Sequence, residues 1–533
     1  MLPLRSLLAL LLLPLLTAAQ TGNMTIRIQP GERWWFGATA LGDRMPLETG
    51  FTADVRAYLY GNQVQPLLLS SRGRGVWSGT GFTVAVGDST IELAGSVTGF
   101  VPFRAGNTLR EAYRHASRTF FPPDGRLPDT LLFTAPQYNT WIELQYDQNQ
   151  ADILAYARAI VANGMPPGVL MIDDTWQTDY GKWEFNPARF PDPRAMVDEL
   201  HRLGFRVMLW VCPFVSPDSE EFRAGARDGI LLRDPDPNRL FRGHRMPQMV
   251  PWWNGVSAVL DLSNPTAQRW FADQLDRLQR DYGVDGFKLD AGDAEFYVHG
   301  EPFVAGTTPN EQSTLFAEVG LDYPLNEYRA CFRLGGRPLV QRLRDKAHSW
   351  ADLQRLVPQM ITAGLAGYAF SCPDMIGGGE FTSFLPGADL DQELIVRSAQ
   401  VHALMPMMQF SVAPWRVLDS THQAALLASV RLRERFRERI LAEAGAAATT
   451  GEPILRPLEY NYPGQNLTEV TDQFMIGTDL LVAPVVEPSA RSRAVRLPPG
   501  RWRGPDGREH AGGRTITVAA ELDDLPYFRL VTE

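Results

Sequence analysis

The stretch Val284-Asp285-Gly286-Phe287-Lys288-Leu289-Asp290 reads as a short strand that ends in a carboxylate. Gly168-Val169-Leu170-Met171-Ile172-Asp173 has the same form upstream, with Asp174 directly after it. Phe205 to Phe214 and Gly367 to Cys372 are two further apolar runs, the second followed by Asp374. Helical stretches separate them: Pro193 to Leu203, Pro265 to about Tyr282 behind the start signal Asn264, and Asp352 to Ala363. Strand and helix in alternation argue for parallel strands. Acids at the C-terminal strand ends then predict an α/β fold, a (β/α)8 TIM barrel, because the active site of that barrel lies at this face.

The chain has 533 residues, and a barrel of about 250 leaves room for appended domains. Over residues 20–125, alternating runs such as Thr25-Ile26-Arg27-Ile28, Phe82 to Val86 and Thr90 to Leu93 predict an N-terminal antiparallel β-sandwich domain. The catalytic barrel is assigned to residues 126–445. Residues 446–533 return to β character at Gln473 to Val485, Ala494 to Leu497 and Thr515 to Val518, and predict a C-terminal β domain. Residues 1–19 have the form of a cleavable signal peptide: Arg5, a leucine-rich run from Leu7 to Leu16 too short to span a bilayer, then Thr17-Ala18-Ala19. A secreted or periplasmic protein without a membrane span is expected.

Hydrophobic residues at 44% and charged residues at 21% are the balance of a folded chain and exclude disorder. A net charge of −10 with no basic stripe argues against nucleic acid as a partner. Cys212, Cys331 and Cys372 are too few for a disulfide scaffold and are expected as free thiols. Arginine so dominates the basic residues that only Lys182, Lys288 and Lys346 are lysines. Two of them, Lys288 and Lys346, lie within two residues of Asp290 and Asp345.

If the strands close into a barrel, Asp173, Asp174, Asp290 and Asp374 converge on one mouth. Asp345, after the apolar run Pro338 to Leu343, joins them. Converging carboxylates point to acid/base or nucleophilic work on a glycosidic bond. The eight His are scattered and none ends an expected strand, so no metal or other cofactor is expected; an all-carboxylate Mg2+ site is the rival. No Gly-x-Ser-x-Gly elbow supports a serine nucleophile.

Val284 through Asp293 resembles the nucleophile segment of glycoside hydrolase family 31, in which an Asp ends the strand and a second acid follows three residues later. The resemblance implies Asp290 as nucleophile, with Asp293 the second acid. Arg344-Asp345-Lys346-Ala347-His348-Ser349-Trp350 is similar to the acid/base segment of that family, with Arg344 and Lys346 in place of its Gly and Asn, and implies Asp345 as acid/base. Pro373-Asp374-Met375-Ile376-Gly377-Gly378 resembles the segment in which the family carries His before the Asp. Arg333 resembles a sugar-contacting arginine. Asp173, Asp174, Trp210, Lys288, Arg333 and Asp374 are accordingly the expected substrate-binding residues, and Trp176 is a second candidate aromatic wall. Arg456-Pro457-Leu458, Phe474 to Gly477 and Leu481 to Pro484 extend the resemblance to the C-terminal portion.

The family resemblance implies a retaining, exo-acting α-glycosidase that uses two carboxylates in a double displacement on an oligosaccharide or glycoside. The adjacent Asp173-Asp174 pair followed by Trp176 looks like α-galactosidases of the same clan. The Pro-Asp-Met segment resembles the myogenesis-regulating glycosidase branch of the family. Both place α-galactoside ahead of α-glucoside. The alternatives are an α-glucosidase of the same family, a transglycosylase using the same acids, and a catalytically silent sugar-binding or regulatory protein on the same scaffold.

Overall fold

The computed structural model describes residues 20–531, so the expected signal peptide at 1–19 lies outside the described residues. Eight parallel strands form a ring: β1 Gln137–Asn139, β2 Val169–Ile172, β3 Arg206–Val211, β4 Gly286–Leu289, β5 Asn326–Tyr328, β6 Gln341–Arg342, β7 Ser371–Cys372 and β8 Gln409–Phe410. Successive strands pair in parallel from β1 to β7, and β8 pairs with β1. A parallel bridge between Met375 and Gln409 brings the chain after β7 against β8 and closes the ring. β2 is buried along its whole length, as is β3 from Val207, which is the condition of parallel strands covered on both faces.

Local chemistry fixes the helices between them. Asp192 accepts a hydrogen bond from the Ala195 backbone at the start of helix Pro193–Arg202, and Asn264 accepts one from Thr266 at the start of Pro265–Tyr282. Gly283, left-handed at φ +77°, ends the second helix just before the chain enters β4. The span Gln392 to Ala442, whose sequence has helical character, holds the helices Gln392–Ala403 and Ser420–Thr450, with β8 and a short helix, Pro414–Val417, between them. The strand expected at Gly367 to Cys372 narrows to the two residues of β7, and the apolar run Pro338 to Leu343 narrows to β6.

The N-terminal antiparallel domain is one continuous sheet. Its long strand Thr90–Arg104 pairs with Gln20–Arg27 and Thr83–Val86 along its first part and with Arg74–Ser78 along its last. Strand Gln63–Ser70 of this sheet also takes Cys331–Phe332, from the loop after β5, as a parallel partner. The N-terminal domain is thereby hydrogen-bonded to a barrel loop, and the turn before that strand lands at the barrel mouth. At the other end, residues 455–530 form a six-stranded sheet and a two-stranded ribbon. Buried Arg397 on helix Gln392–Ala403 donates to the carbonyls of Ala490, Ala520 and Glu521 and ties that domain down. The three cysteines are buried and free. No helix among the described residues is long and apolar enough to cross a membrane.

Candidate active site at the barrel mouth

A cavity of about 520 Å³ opens at the C-terminal ends of the strands. Asp173, Asp174, Trp210, Lys288, Asp290 and Asp345 all line it. The ring closure has therefore gathered residues separated by as many as 172 positions in the chain.

Asp290 stands at the end of β4. Its Oδ2 accepts from Trp210 Nε1 on β3 at 3.0 Å, and its Oδ1 accepts from Arg329 Nε at 2.9 Å and from the Ala291 backbone at 2.9 Å. Burial opposes ionisation of this carboxyl, but Arg329, Lys288 and Arg342, with the Trp210 hydrogen bond, outweigh it and hold the carboxyl well below the usual carboxylate range. Arg329 is itself fixed by Asp293, which accepts from Nη1 at 3.0 Å and Nη2 at 2.6 Å, and by the carbonyl of Gly61 in the N-terminal domain at 2.9 Å. Gly61 is left-handed, and a Cβ there would lie 2.9 Å from Arg329 Nη1, so only glycine admits this approach.

Asp173 and Asp174 are neighbours in sequence and opposites in environment. Asp173 Oδ2 accepts from buried Lys288 Nζ at 2.6 Å, a charged pair that spans β2 and β4. Asp174 has no cation against it among the described residues. It accepts from the Thr175 backbone, Gln177, Tyr180 and Asn254, the last at 2.6 Å. Burial and the charge of Asp173 push its carboxyl up to about 7, against those hydrogen bonds. Asn254 also accepts from Tyr146 Oη at 3.0 Å. It sits with Trp253 at the tip of the hairpin Met249–Trp252/Gly255–Val259, which leans over the mouth.

Asp345 stands on the loop after β6 with 41% of its side chain exposed. Its Oδ1 accepts from Arg342 Nη1 at 2.7 Å, and the same nitrogen donates to Asp374 Oδ1 at 2.7 Å. Lys346, whose charge beside Asp345 stands out in the sequence, is buried and donates its Nζ to the Arg344 carbonyl at 2.8 Å. Burial brings Lys346 down to about 8, partly offset by Asp374. Arg344 does line the cavity.

Two expected substrate contacts are corrected. Arg333 does not line the cavity: its backbone N–H donates to Val64 in the N-terminal sheet at 2.8 Å, and its guanidinium lies 5.6 Å from the Phe332 ring centroid. Arg329, four residues earlier, occupies the mouth instead. Asp374 is fully buried behind the wall, where it accepts from Arg342 and from the Lys346 backbone at 2.8 Å, so it braces the glycine loop and does not face the cavity. Its carboxyl is raised to about 7 by burial, against the pull of Arg342. Trp176 is also core: it is fully buried, and its Nε1 donates to the Trp210 carbonyl at 2.8 Å.

Sequence reasoning misses Arg329, Arg342, Trp253 and Asn254. Arg329 and Arg342 stand at the ends of β5 and β6, which are too short to show a pattern. Asn254-Gly255 between apolar residues is, by contrast, a legible hairpin signal. Among the described residues no group of three His, Cys, Asp or Glu is arranged to hold a metal ion.

Residues 136–437, more than half of the chain, match the family model described as the glycosyl hydrolases family 31 TIM-barrel domain, and residues 451–529 match the family 31 C-terminal domain. The chain belongs to glycosyl hydrolase family 31. Its relatives in this family include the myogenesis-regulating glycosidase of Mus musculus, 33% identical over 440 residues, which cover 79% of this chain and 60% of that protein. Another is the SITS-binding protein of Tetronarce californica, 30% identical over 305 residues, 55% of this chain and 42% of that one. The chain thus spans 60% or less of the length of these curated relatives. The crystal structure of a family 31 α-xylosidase from a soil metagenome, complexed with xylose, superposes with a TM-score of 0.82 at 22% identity over 95% of this chain and 79% of that one. That likeness establishes the shared fold.

Proposed function

We propose that the protein is a retaining, exo-acting α-glycosidase that removes a terminal hexose, with α-galactoside preferred to α-glucoside. The observation that carries the reading is the pairing of carboxylates on one cavity: Asp290, kept ionised by Arg329, Lys288 and Arg342, and Asp345 on the loop after β6. In the first step an Asp290 oxygen bonds to the anomeric carbon as the glycosidic C–O bond breaks, and the leaving oxygen takes a proton from Asp345. In the second step Asp345 takes a proton from water, the water oxygen bonds to the anomeric carbon, and the Asp290 ester bond breaks. Asp173, Asp174, Trp210 and Lys288 line the same cavity and would hold the ring and its hydroxyls. A hydroxyl that points axially from the ring needs its acceptor at another angle than an equatorial one, and the adjacent carboxylates of Asp173 and Asp174 supply two such angles. The mouse relative named as a glycosidase is in keeping with this reading.

The test is release of nitrophenol from paired nitrophenyl α-galactoside and α-glucoside by the protein of residues 20–533. The expected result is turnover of the galactoside at least about tenfold above the glucoside, the margin of one well-recognised hydroxyl. The reverse preference would leave the glycosidase reading standing and overturn the sugar. A second reading, a sugar-binding scaffold without turnover, is favoured by the engagement of Asp345 with Arg342. Binding of galactose by calorimetry with no hydrolysis of either substrate would select it.

A further inference from the structure

Glu327 lies on β5 with its side chain fully buried inside the barrel. Its Oε2 accepts from Gln409 Nε2 on β8 at 2.7 Å, and Gln409 in turn donates to Gln137 on β1 at 2.8 Å. Its Oε1 has no hydrogen-bond partner but lies 3.3 Å from Arg342 Nε. Arg342 Nη1 reaches out of the interior to Asp345 and Asp374, each at 2.7 Å. A continuous line of polar contacts therefore runs from the far wall of the barrel, through Glu327 and Arg342, to the carboxylate of Asp345.

This line is unusual for a barrel interior, which is ordinarily filled by branched apolar side chains. A buried ion pair is not in general a stabilising choice, since well-packed apolar residues serve as well or better. Its worth lies in holding a long side chain in one geometry. Arg342 has a guanidinium with one end facing Glu327 and the other facing two carboxylates. Glu327 faces the Nε end of the guanidinium while Nη1 meets the two carboxylates, so charge acts on it from both ends. The remaining charged groups that act on it are Asp290 and Lys288 from β4, and Lys346 after β6 faces the same Asp374. None of these supplies a second anchor on the interior side.

We propose that Glu327 is a positioning residue for the proton donor Asp345, acting through Arg342. The proposal rests on the reading of Asp345 as the acid/base. Glu327 touches neither substrate nor the reacting atoms. It sets where the Asp345 carboxyl stands when the glycosidic C–O bond breaks and the leaving oxygen takes up its proton. In the bond-breaking step that kcat/KM reads, a misplaced donor fails only when the leaving oxygen needs that proton. A dinitrophenolate leaves without help, whereas a methoxide or a sugar alkoxide does not.

The test compares kcat/KM for the 2,4-dinitrophenyl and methyl glycosides of the hexose that the enzyme cleaves. Glu327→Gln keeps the volume and a hydrogen bond to Gln409 but removes the charge facing Arg342. It is expected to lower kcat/KM for the methyl glycoside about tenfold and to change that for the dinitrophenyl glycoside less than twofold. Glu327→Asp, which keeps the charge, is expected to recover part of the loss. A purely structural role would lower both substrates together. Asp345→Ala provides the reference: it should show the same selectivity in stronger form, about 10³-fold on the methyl glycoside, with azide restoring turnover of the dinitrophenyl glycoside. Equal losses or no loss in Glu327→Gln, with Asp345→Ala selective and rescued by azide, would overturn the positioning role alone. Asp345→Ala with neither selectivity nor rescue would overturn the acid/base reading itself.

Discussion

Asp290 sits at the end of β4 with 12% of its side chain exposed, whereas Asp345 stands on a loop with 41% exposed. The first is held by groups from three adjacent strands: Trp210 on β3, the Ala291 backbone after β4, and Arg329 after β5. The second is held by one nitrogen of Arg342, shared with Asp374. The difference matches the roles proposed for the two carboxyls, nucleophile for Asp290 and proton donor for Asp345. A nucleophile has to be ionised and still, so its pocket can be dry and cationic. A proton donor that is recharged in every cycle has to meet water, and its restraint has to act from one side only.

Three experiments break or sharpen this contrast. The largest effect is expected for Asp290→Asn, which should lower kcat at least about 10³-fold on activated and unactivated glycosides alike, because no leaving group can replace the attacking oxygen. Steady-state kinetics on both substrate classes checks it, and an unchanged melting temperature shows that the fold survives. A middling effect is expected for Gly379→Ala. A Cβ there would lie 2.8 Å from Asp374 Oδ1 and 3.1 Å from Asp345 Oδ1, so the acid/base loop has to shift while the β4 side stays in place. A loss of about tenfold in kcat/KM on unactivated glycosides, with little change on dinitrophenyl glycosides, is the expected reading. The smallest effect concerns Asp174, whose carboxyl is raised to about 7. It carries a proton below that pH and a charge above it. Hydrogen bonds from sugar hydroxyls to the charged form are the stronger, so KM should rise two- to threefold, roughly, as pH falls from 8 to 6. Asp174→Asn should flatten that dependence in a KM-against-pH series.

The parts of this contrast were unequally legible in the sequence. The β4 side announces itself: Gly286-Phe287-Lys288-Leu289 is a buried strand bounded by a helix-ending glycine and a terminal acid, and Ile172-Asp173 repeats the form. Asp290, Asp173, Asp174, Trp210 and Lys288 all reach the cavity from such strands. The other side is carried by β5, β6 and β7, of three, two and two residues. No periodicity can be read from so few positions. The sequence therefore points to Arg333, whereas Arg329 lines the mouth, and to Asp374 as a sugar ligand, whereas its side chain is buried behind the wall. Charges inside a barrel also run against the expectation that interiors are apolar, so Glu327 and Arg342 carry no sequence signal at all. Residues that act through other residues are set by three-dimensional contact, and pattern reading along one strand does not reach them.

The left-handed turn at Gly61 has a consequence for engineering. Its carbonyl receives Arg329, and its neighbour Asn62 accepts from the Arg344 backbone at 3.1 Å. Two rim arginines are thus seated by a tip that belongs to another domain. A chimera that keeps this barrel but borrows its N-terminal module from elsewhere inherits a mouth with one wall unset, unless residues 60–62 travel with the barrel. The two modules are joined parts of one mouth and would have to be exchanged, or redesigned, as one.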